Sequence, residues 1–390
     1  MTHKIYNENT QILDFTATVL SCKKDDITEY YHIILDSTAF FPEEGGQGSD
    51  QGTLNGIPVI HVSIDKSDTI THTLSSPLPE GTSVTGHVEW AQRFDYMQQH
   101  TGEHILSGLV HKHFGYQNVG FHLNNIFTTL DFDGVLTQED MGKMERLANE
   151  VIYQNLPVNV TFPSKEVLKN LSYRSKIEIE GPIRIVEIPG IDVCACCAPH
   201  VNDTGQIGIL KVVNMESHRG GVRITILCGN RAFSHYSSLQ NSISSLSILL
   251  SAKPELINSA VNRLKEESQS RQERINSLQA NLLEAHLKEL PCPEVSRHAL
   301  LFEENLDTKA VRNAVNSLST SYEGFSAIFV GNDIEGYEFI LGSSKIDCTQ
   351  AANLLRRNLS AKCGGSARMI QGSVAASKKE LTTLLMQNNL

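Results

Sequence analysis

The chain has 390 residues, 40% of them hydrophobic, and a formal net charge of −11. This length allows two or three domains with separate cores. The excess of acidic residues argues against a protein that coats nucleic acid non-specifically, because the surface of such a protein is basic. No apolar run approaches the roughly 20 residues of a membrane span, and the N-terminus lacks the apolar segment of a secretory signal. Eight cysteines are too few for a disulfide scaffold, so we expect a cytoplasmic protein without membrane contact.

Residues 1–88 have the composition of a β-rich domain. β-Branched and aromatic residues concentrate in Thr16–Cys22, Tyr30–Asp36 and Ile57–Ile64. Between the last two lies the segment 36–50, DSTAFFPEEGGQGSD, whose glycines permit unusual backbone conformations and close approach of a ligand. A plain hairpin loop would have a similar composition, so this segment alone does not establish a site.

The next segment, Ala91–Phe114, has no proline and predicts a helix. It contains His100 and His104, and residues four apart lie on the same face of a helix. Two imidazoles placed in this way can bind one metal ion. Helical histidine pairs without a metal are also common, so the pair needs further ligands.

Those further ligands lie downstream, beyond a predicted strand pair over Gly120–Asp133 and a helix over Thr137–Asn155 with Thr137 as its N-cap. Cys196 and His200 follow Pro189-Gly190 in a predicted loop, and the spacing of four residues repeats that of the first pair. Further strands are predicted at Val158–Phe162, Ile183–Ile188, Ile207–Val213 and Val222–Cys228.

His100, His104, Cys196 and His200 together offer the nitrogen and sulfur ligands that zinc prefers. Cys194 and Cys197 lie beside Cys196, and the sequence leaves the identity of the sulfur ligand open among the three. A full set of four protein ligands also leaves open whether the zinc is structural or catalytic.

The C-terminal part begins with helical sequence over Arg231–Leu290. Apolar residues at heptad positions predict either a helical hairpin or a short dimer contact: Val261, Leu264, Ile275, Leu278, Leu282 and Ala285. After Pro291 and Pro293 we expect β-α-β-β-α, a glycine-rich loop over 363–372 and a closing helix. Basic residues cluster there, at Arg356, Arg357, Lys362, Arg368, Lys378 and Lys379.

The predicted fold is therefore α+β in four parts. These are a β-barrel-like domain (1–88), an α+β zinc-containing domain (89–235), a helical linker or oligomerisation segment (236–293) and a small C-terminal α/β domain (294–390). An alternative function comes from His100-Thr-Gly-Glu-His104, which matches the H-x-x-E-H pattern of zinc metalloproteases with Glu103 as general base. That alternative leaves the second ligand pair and the segment 36–50 unexplained.

Four motifs carry a family resemblance: Asp36-Ser-Thr-Ala-Phe-Phe-Pro with Gly-Gly-Gln47, Gln99-His-Thr-Gly-Glu-His104-Ile-Leu, Cys196-x-x-x-His200, and Arg223-Ile-Thr-Ile-Leu-Cys-Gly-Asn-Arg231. The sequence resembles the long form of the free-standing alanyl-tRNA editing proteins (AlaX type), which are similar to the editing and C-terminal domains of alanyl-tRNA synthetase. It departs from the family at position 44, which is Glu where the family tends to have Gly, and at Gly48, where Pro is usual.

The resemblance implies a hydrolase that removes serine, and in some cases glycine, from mischarged tRNA(Ala). Such correction is needed because a site built for alanine cannot strongly reject serine or glycine. The resemblance assigns recognition of the serine hydroxyl to Thr38, a substrate-holding role to Gln47, and Zn²⁺ to the four ligands above. The expected partner is mischarged tRNA(Ala), with a second copy of the chain as a further possible partner.

Overall fold

The computed structural model describes residues 2–175 and 183–387, and contacts divide the chain into two units, Met1–Ser244 and Ser245–Leu390. The chain as a whole is α+β, as predicted, whereas the finer four-part division remains a prediction. None of the helices among the described residues is long and apolar enough to cross a membrane.

The N-terminal part of the first unit is a closed six-stranded barrel, which confirms the barrel-like prediction. Its strands are adjacent in the order β2-β3-β7-β6-β5-β8. Alternate residues of β2, Phe15, Ala17 and Val19, point inward and are buried, as expected for strands with one face in a core. The strands of this part are β1 (His3–Lys4), β2 (Asp14–Lys24), β3 (Tyr31–Leu35), β4 (Ser37–Thr38), β5 (Gly52–Leu54), β6 (Ile57–Ile64), β7 (Ile70–Leu74) and β8 (Ser83–Val88).

A long helix, α1 (Trp90–Phe114), follows the barrel and is the predicted histidine helix. Glu89 caps its start, and Gly115 ends it with φ +77°, a conformation that favours glycine. Helix α2 (Gln138–Gln154) begins with the predicted N-cap Thr137, whose hydroxyl and Asp140 form a reciprocal capping box. Helix α1 is buried along most of its length and packs on α2 and on a four-stranded sheet.

Two sheets complete the first unit. The four-stranded sheet has the order β14-β15-β10-β9, and a three-stranded sheet has the order β11-β12-β13. The bounds are β9 (Asn118–Leu123), β10 (Thr128–Phe132), β11 (Asn159–Thr161), the short helix α3 (Lys165–Leu168), β12 (Ile185–Ile188), β13 (Asp192–Ala195), β14 (Leu210–His218) and β15 (Gly221–Cys228).

Two expectations for this region need correction. The strand predicted from Ile207 begins only at Leu210. Thr204–Ile207 forms a 3-10 turn, and Gly208 has φ +79°, a backbone conformation outside the β region. Cys194 lies in strand β13 and not in a loop, whereas Cys196 follows the strand end.

Helix α4 (Gly229–Leu249) runs across the division between the units, and α5 (Ile257–Lys288) lies in the second. A five-stranded sheet there has the order β16-β17-β18-β20-β19. The elements are β16 (Ala299–Glu303), α6 (Thr308–Ser321), β17 (Ser326–Asn332), β18 (Gly336–Gly342), α7 (Cys348–Leu359), β19 (Lys362–Gly365), β20 (Met369–Val374) and α8 (Lys378–Gln387).

The glycine-rich stretch 363–372 is a hairpin of β19 and β20, so the predicted loop is wrong. Gly372 pairs with Cys363 across the ladder, and a Cβ at Gly372 would lie 2.2 Å from the carbonyl oxygen of Lys362. The glycine therefore permits close strand packing in place of an open loop.

Helix α5 uses a different apolar stripe from the predicted one. Leu283, with Leu287 beside it, packs against Val315 and Ile328 of the second unit. The predicted heptad residues remain about half exposed, namely Val261, Leu264, Ile275, Leu278 and Leu282, while Ala285 is also exposed.

Candidate metal centre and active site

The four predicted zinc ligands converge in the first unit. His100 and His104 extend from α1, Cys196 and His200 follow β13, and the four ligand atoms all lie within 4.8 Å of one another. The Cys196 Sγ atom is 3.5 Å from His100 Nε2 and 3.3 Å from His200 Nε2. A tetrahedron with zinc–nitrogen and zinc–sulfur bonds of normal length has edges of about 3.3–3.6 Å. The donor types and their spacing therefore fit zinc.

The ring nitrogens on the far side of the histidines have partners of their own. His100 Nδ1 lies 2.8 Å from Gln47 Oε1, and His104 Nδ1 lies 2.9 Å from Asp192 Oδ2. An amide oxygen and a carboxylate only accept hydrogen bonds, so each Nδ1 must carry the proton.

His200 follows the same pattern through a hydroxyl. Its Nδ1 lies 3.1 Å from Thr101 Oγ1, and that hydroxyl donates to the Met97 carbonyl oxygen at 2.8 Å. The hydroxyl is therefore the acceptor for His200. In their neutral forms all three rings have an Nε2 lone pair, which is the arrangement found around metal-binding histidines.

The three neighbouring cysteines differ in their electrostatic surroundings. Burial opposes ionisation of Cys196, but the attraction between its thiolate and the neighbouring His100 prevails and holds the pKa of this thiol well below the usual range. Burial raises the pKa of the Cys194 thiol to about 11, and burial also raises the pKa of Cys197. Because zinc binds the thiolate, these differences favour Cys196 as the sulfur ligand.

The histidines must be neutral when they bind a metal. Burial lowers the pKa of His200 to about 3, so this ring is neutral in the folded protein. Burial also disfavours the charged form of His104, but the carboxylates of Glu103 and Asp192 prevail and raise its pKa. An arriving cation must therefore displace a proton from His104.

Two arginines hold the cysteine segment in place. Arg174 donates to both carboxylate oxygens of Asp192, at 2.7 and 2.8 Å. Burial opposes the charge on Asp192, but His104 and Arg174 lower its pKa, so it remains an anion. Arg184 donates to the carbonyl oxygens of Cys196 and Ala198, at 2.9 and 2.8 Å.

The glycine-rich segment contributes a tight turn to this site. Glu44 and Gln47 exchange two backbone hydrogen bonds, of 3.2 and 3.1 Å. Gly45 and Gly46 between them have φ of +61° and +84°, the combination that a type I′ turn requires. A Cβ at Gly46 would lie 2.5 Å from the Phe121 carbonyl oxygen, so glycine is also needed for the turn to dock on β9.

Gln47 is 1% exposed, and its side-chain nitrogen has no hydrogen-bond partner. The oxygen must face His100, so the amide cannot be reversed to satisfy the nitrogen. An unpaired buried donor costs about 1–3 kcal/mol. Gln47 lines a cleft of about 450 Å³ together with Glu44, Tyr96 and His122, and such a donor beside a cleft suits ligand binding.

Thr38 lies apart from this group of contacts. It is fully buried, its hydroxyl is 2.9 Å from His72 Nε2, and it accepts a hydrogen bond from the Phe40 N–H at 3.1 Å. His72 Nδ1 faces the Ile33 carbonyl oxygen, so its Nε2 is the acceptor and the threonine hydroxyl donates. One hydroxyl lone pair remains for a further partner.

Glu103, the general base of the protease alternative, is also buried. Its Oε1 accepts hydrogen bonds from the Ser107 hydroxyl at 2.7 Å and the Asn118 amide at 2.6 Å. Oε2 is 3.7 Å from His104 Nε2. The Glu103 carboxylate thus forms hydrogen bonds that join helix α1 to strand β9.

Some functional residues were not identified from the sequence. Asp192 and Thr101 fix histidine tautomers, and Arg174 fixes Asp192. Asp192 is the first residue of the cysteine-rich segment, and a carboxylate so close to the predicted ligands is a signal that could have identified it. Thr101 lies between the two helical histidines without a distinguishing pattern.

Comparison with known proteins agrees with this site. A domain family described as "Threonyl and Alanyl tRNA synthetase second additional domain" matches residues 183–225, which include Cys196 and His200. The bovine alanyl-tRNA editing protein Aarsd1 is 30% identical over 271 residues, covering 65% of this chain and 61% of that protein. The match therefore spans less than two thirds of this relative.

Two further relatives extend the comparison. The alanyl-tRNA editing protein AlaX-L of Pyrococcus horikoshii is 28% identical over 296 residues, covering 73% of this chain and 72% of that protein. Alanine–tRNA ligase of Ignicoccus hospitalis is 26% identical over 376 residues, covering 93% of this chain and 40% of the ligase. The chain is related to proteins that share a tRNA synthetase-associated domain. More specifically, the predicted resemblance to free-standing alanyl-tRNA editing proteins of the AlaX type is confirmed.

Proposed function

We propose that this protein is a zinc-dependent deacylase that hydrolyses tRNA(Ala) mischarged with serine. The observation that carries the proposal is the convergence of three histidine Nε2 atoms and the Cys196 sulfur beside the unpaired amide of Gln47. The relatedness to alanyl-tRNA editing proteins supports the choice of substrate. It also favours this function over the metalloprotease alternative.

Zinc bound by His100, His104, Cys196 and His200 would polarise the ester carbonyl or lower the pKa of a bound water. The chain itself supplies the positioning. The free N–H of Gln47 can donate to an ester oxygen in the cleft, while its oxygen keeps the His100 ring in place. The burial of these groups limits access of bulk water and strengthens their hydrogen bonds.

Thr38 is the proposed group that selects serine over alanine. Its hydroxyl already donates to His72, so it would accept a hydrogen bond from the serine hydroxyl. Alanine would leave that acceptor unpaired, and discrimination of this kind can be large. Because Thr38 is fully buried, contact with a substrate requires movement of the residues that cover it.

A deacylation assay with seryl-, glycyl- and alanyl-tRNA(Ala) tests the proposal. The purified protein should release serine much faster than alanine, and His100→Ala should abolish release. The same preparations should leave an unstructured protein such as casein intact. Cleavage of casein without deacylation would favour the protease, and hydrolysis of all three RNAs at one rate would reject the proposed selectivity.

A further inference from the structure

We propose that the carboxylate of Glu44 binds the protonated α-amino group of the aminoacyl ester, so that this site accepts esters with a free amine and disfavours N-acylated ones. This inference rests on the proposed function and extends it to a part of the substrate that neither Thr38 nor Gln47 addresses.

The first support is the geometry of the turn. Glu44 and Gln47 are paired directly across the type I′ turn, and residues paired in this way project their side chains to the same face. Gln47 reaches His100 on that face. The Glu44 side chain therefore extends from the face of the turn that borders the metal ligands, and both residues line the same cleft.

The second support is the environment of the carboxylate. The half-buried Glu44 lies near the Cys197 thiol, and burial together with the negative charge on Glu44 raises the pKa of that thiol. The Cys197 Sγ atom lies 3.2 Å from the position of a Cβ on Gly45. Among residues 2–175 and 183–387, no basic side chain lies within ion-pair distance of Glu44. The carboxylate therefore has no cationic partner among the described residues and is available to a cationic group of the substrate.

Glu43 next to it provides a contrast. Its side chain is 63% exposed and its carboxylate lies 3.7 Å from His61 Nε2. Glu43 also borders the cleft, but it precedes the paired positions of the turn and its side chain extends towards His61. Only the carboxylate of Glu44 lies on the same face of the turn as the free amide of Gln47.

The third support is the match to an aminoacyl ester. Directly opposed residues have Cβ atoms about 4.5–5.5 Å apart. An aminoacyl ester has a cationic donor, the α-ammonium group, three bonds from an acceptor, the carbonyl oxygen. The ammonium group can bind the Glu44 carboxylate while the carbonyl oxygen accepts from Gln47 Nε2. Hydrogen bonds to charged groups are the stronger ones, and N-acylation removes the charge.

The test compares seryl-tRNA(Ala) with N-acetyl-seryl-tRNA(Ala) as substrates of the full chain. The wild type should favour the free amine, and Glu44→Gln should lower kcat/KM for seryl-tRNA(Ala) about tenfold while leaving the acetylated substrate unchanged. Glu44→Gly should behave like Glu44→Gln. Glu43→Gln removes the same charge from the neighbouring position and should keep the wild-type ratio between the two substrates.

Zinc content and thermal unfolding of each variant establish that the fold is retained. A Glu44→Gln variant with the wild-type substrate ratio, or with equal losses on both substrates, would overturn the role of Glu44 while leaving the deacylase function intact. A wild type that releases no serine would overturn the proposed function, and this role with it.

A binding measurement gives an independent readout. Calorimetry with 3′-deoxy-3′-(L-seryl)amino-adenosine, an amide that resists hydrolysis, should show about tenfold weaker binding to Glu44→Gln than to the wild type. The N-acetyl form of this compound should bind both proteins equally. Equal loss for both compounds would overturn recognition of the amine.

Discussion

The guanidinium of Arg93 and the carboxylate of Asp50 form an ion pair from which solvent is almost fully excluded. Arg93 Nε donates to Asp50 at 2.9 Å, and the same guanidinium donates to the carbonyl oxygens of Thr10 and Ala39. Arg93 lies two turns before His100 on α1. The pair therefore fixes the end of the glycine-rich segment to the helix that carries two of the proposed metal ligands, His100 and His104.

The metal site predicts one zinc per chain. His100→Ala and Cys196→Ser should lose zinc by elemental analysis, because each removes one of four ligands. Cys194→Ser and Cys197→Ser should retain it. His113→Ala, at the exposed end of the same helix, is the matched control. Stoichiometric zinc in His100→Ala would contradict the site.

Thr38→Val should lower kcat/KM for seryl-tRNA(Ala) about tenfold to hundredfold, since one hydrogen bond in a buried pocket is worth about 1–3 kcal/mol. Hydrolysis of alanyl-tRNA(Ala) should stay low or rise. The variant should also unfold at a lower temperature because His72 and the Phe40 N–H lose their partner. Thr38→Ser keeps the hydroxyl and should retain the selectivity. An unchanged serine-to-alanine ratio in Thr38→Val would place discrimination elsewhere.

The barrel should lose stability in mild acid through His72. Burial lowers its pKa from 6.5 to about 4, so below pH 6.5 the unfolded chain binds a proton that the folded chain does not. The free energy of unfolding therefore falls as the pH drops from 6.5 towards 4, by at most about 3 kcal/mol from this group. Urea unfolding of wild type and His72→Gln across this range measures the difference. Parallel pH profiles for the two proteins would rule out this contribution.

A chain truncated after residue 244 should fold, bind zinc and deacylate seryl-tRNA(Ala), because the proposed ligands and pocket residues all lie in the first unit. Its KM should be higher and less dependent on salt, since the basic residues near the C-terminus would no longer contact phosphates. A folded, zinc-loaded truncation that releases no serine at saturating RNA would show that the second unit takes part in the reaction.

The half-exposed apolar stripe of α5 predicts a dimer through the segment 254–290 and the C-terminal domain. Leu278 and Leu282 are each about 50% exposed, and burying them against a second copy would remove this apolar surface from water. Light scattering should give a dimer mass at micromolar concentration. A variant with both Leu278→Glu and Leu282→Glu should give a monomer mass. A monomer mass for the wild type would favour the intramolecular alternative.

The clustering of the four proposed metal ligands was predictable because their signal is local. The helical spacing of His100 and His104 determines their common face, and the chemistry of Cys196 and His200 completes a recognised ligand set. The barrel was predictable from strand-forming composition between turn residues.

The supporting contacts were not predictable, because each joins elements distant in sequence. Asp192 meets His104, and Asp50 meets Arg93, only after the sheets pack on α1. The same reason explains why the buried face of α5 could not be predicted. Leu282 and Leu283 are adjacent in sequence, and the packing of the second unit determines which of the two is buried. In the C-terminal hairpin, glycines that suggested a loop were needed for close strand pairing.

The bidentate contact of Arg174 with Asp192 has a consequence for metal loading. His104, Asp192 and Cys194 also lie within 4.8 Å of one another and could compete for the incoming ion. Both oxygens of Asp192 are already bonded to a cation, and the high pKa of Cys194 keeps that thiol protonated. A metal ion is therefore disfavoured at this second group, because Asp192 is paired with the positive charge of Arg174 and the Cys194 thiol keeps its proton. Arg174 therefore disfavours a metal ion at this second group of residues and leaves His104 available to the proposed zinc site.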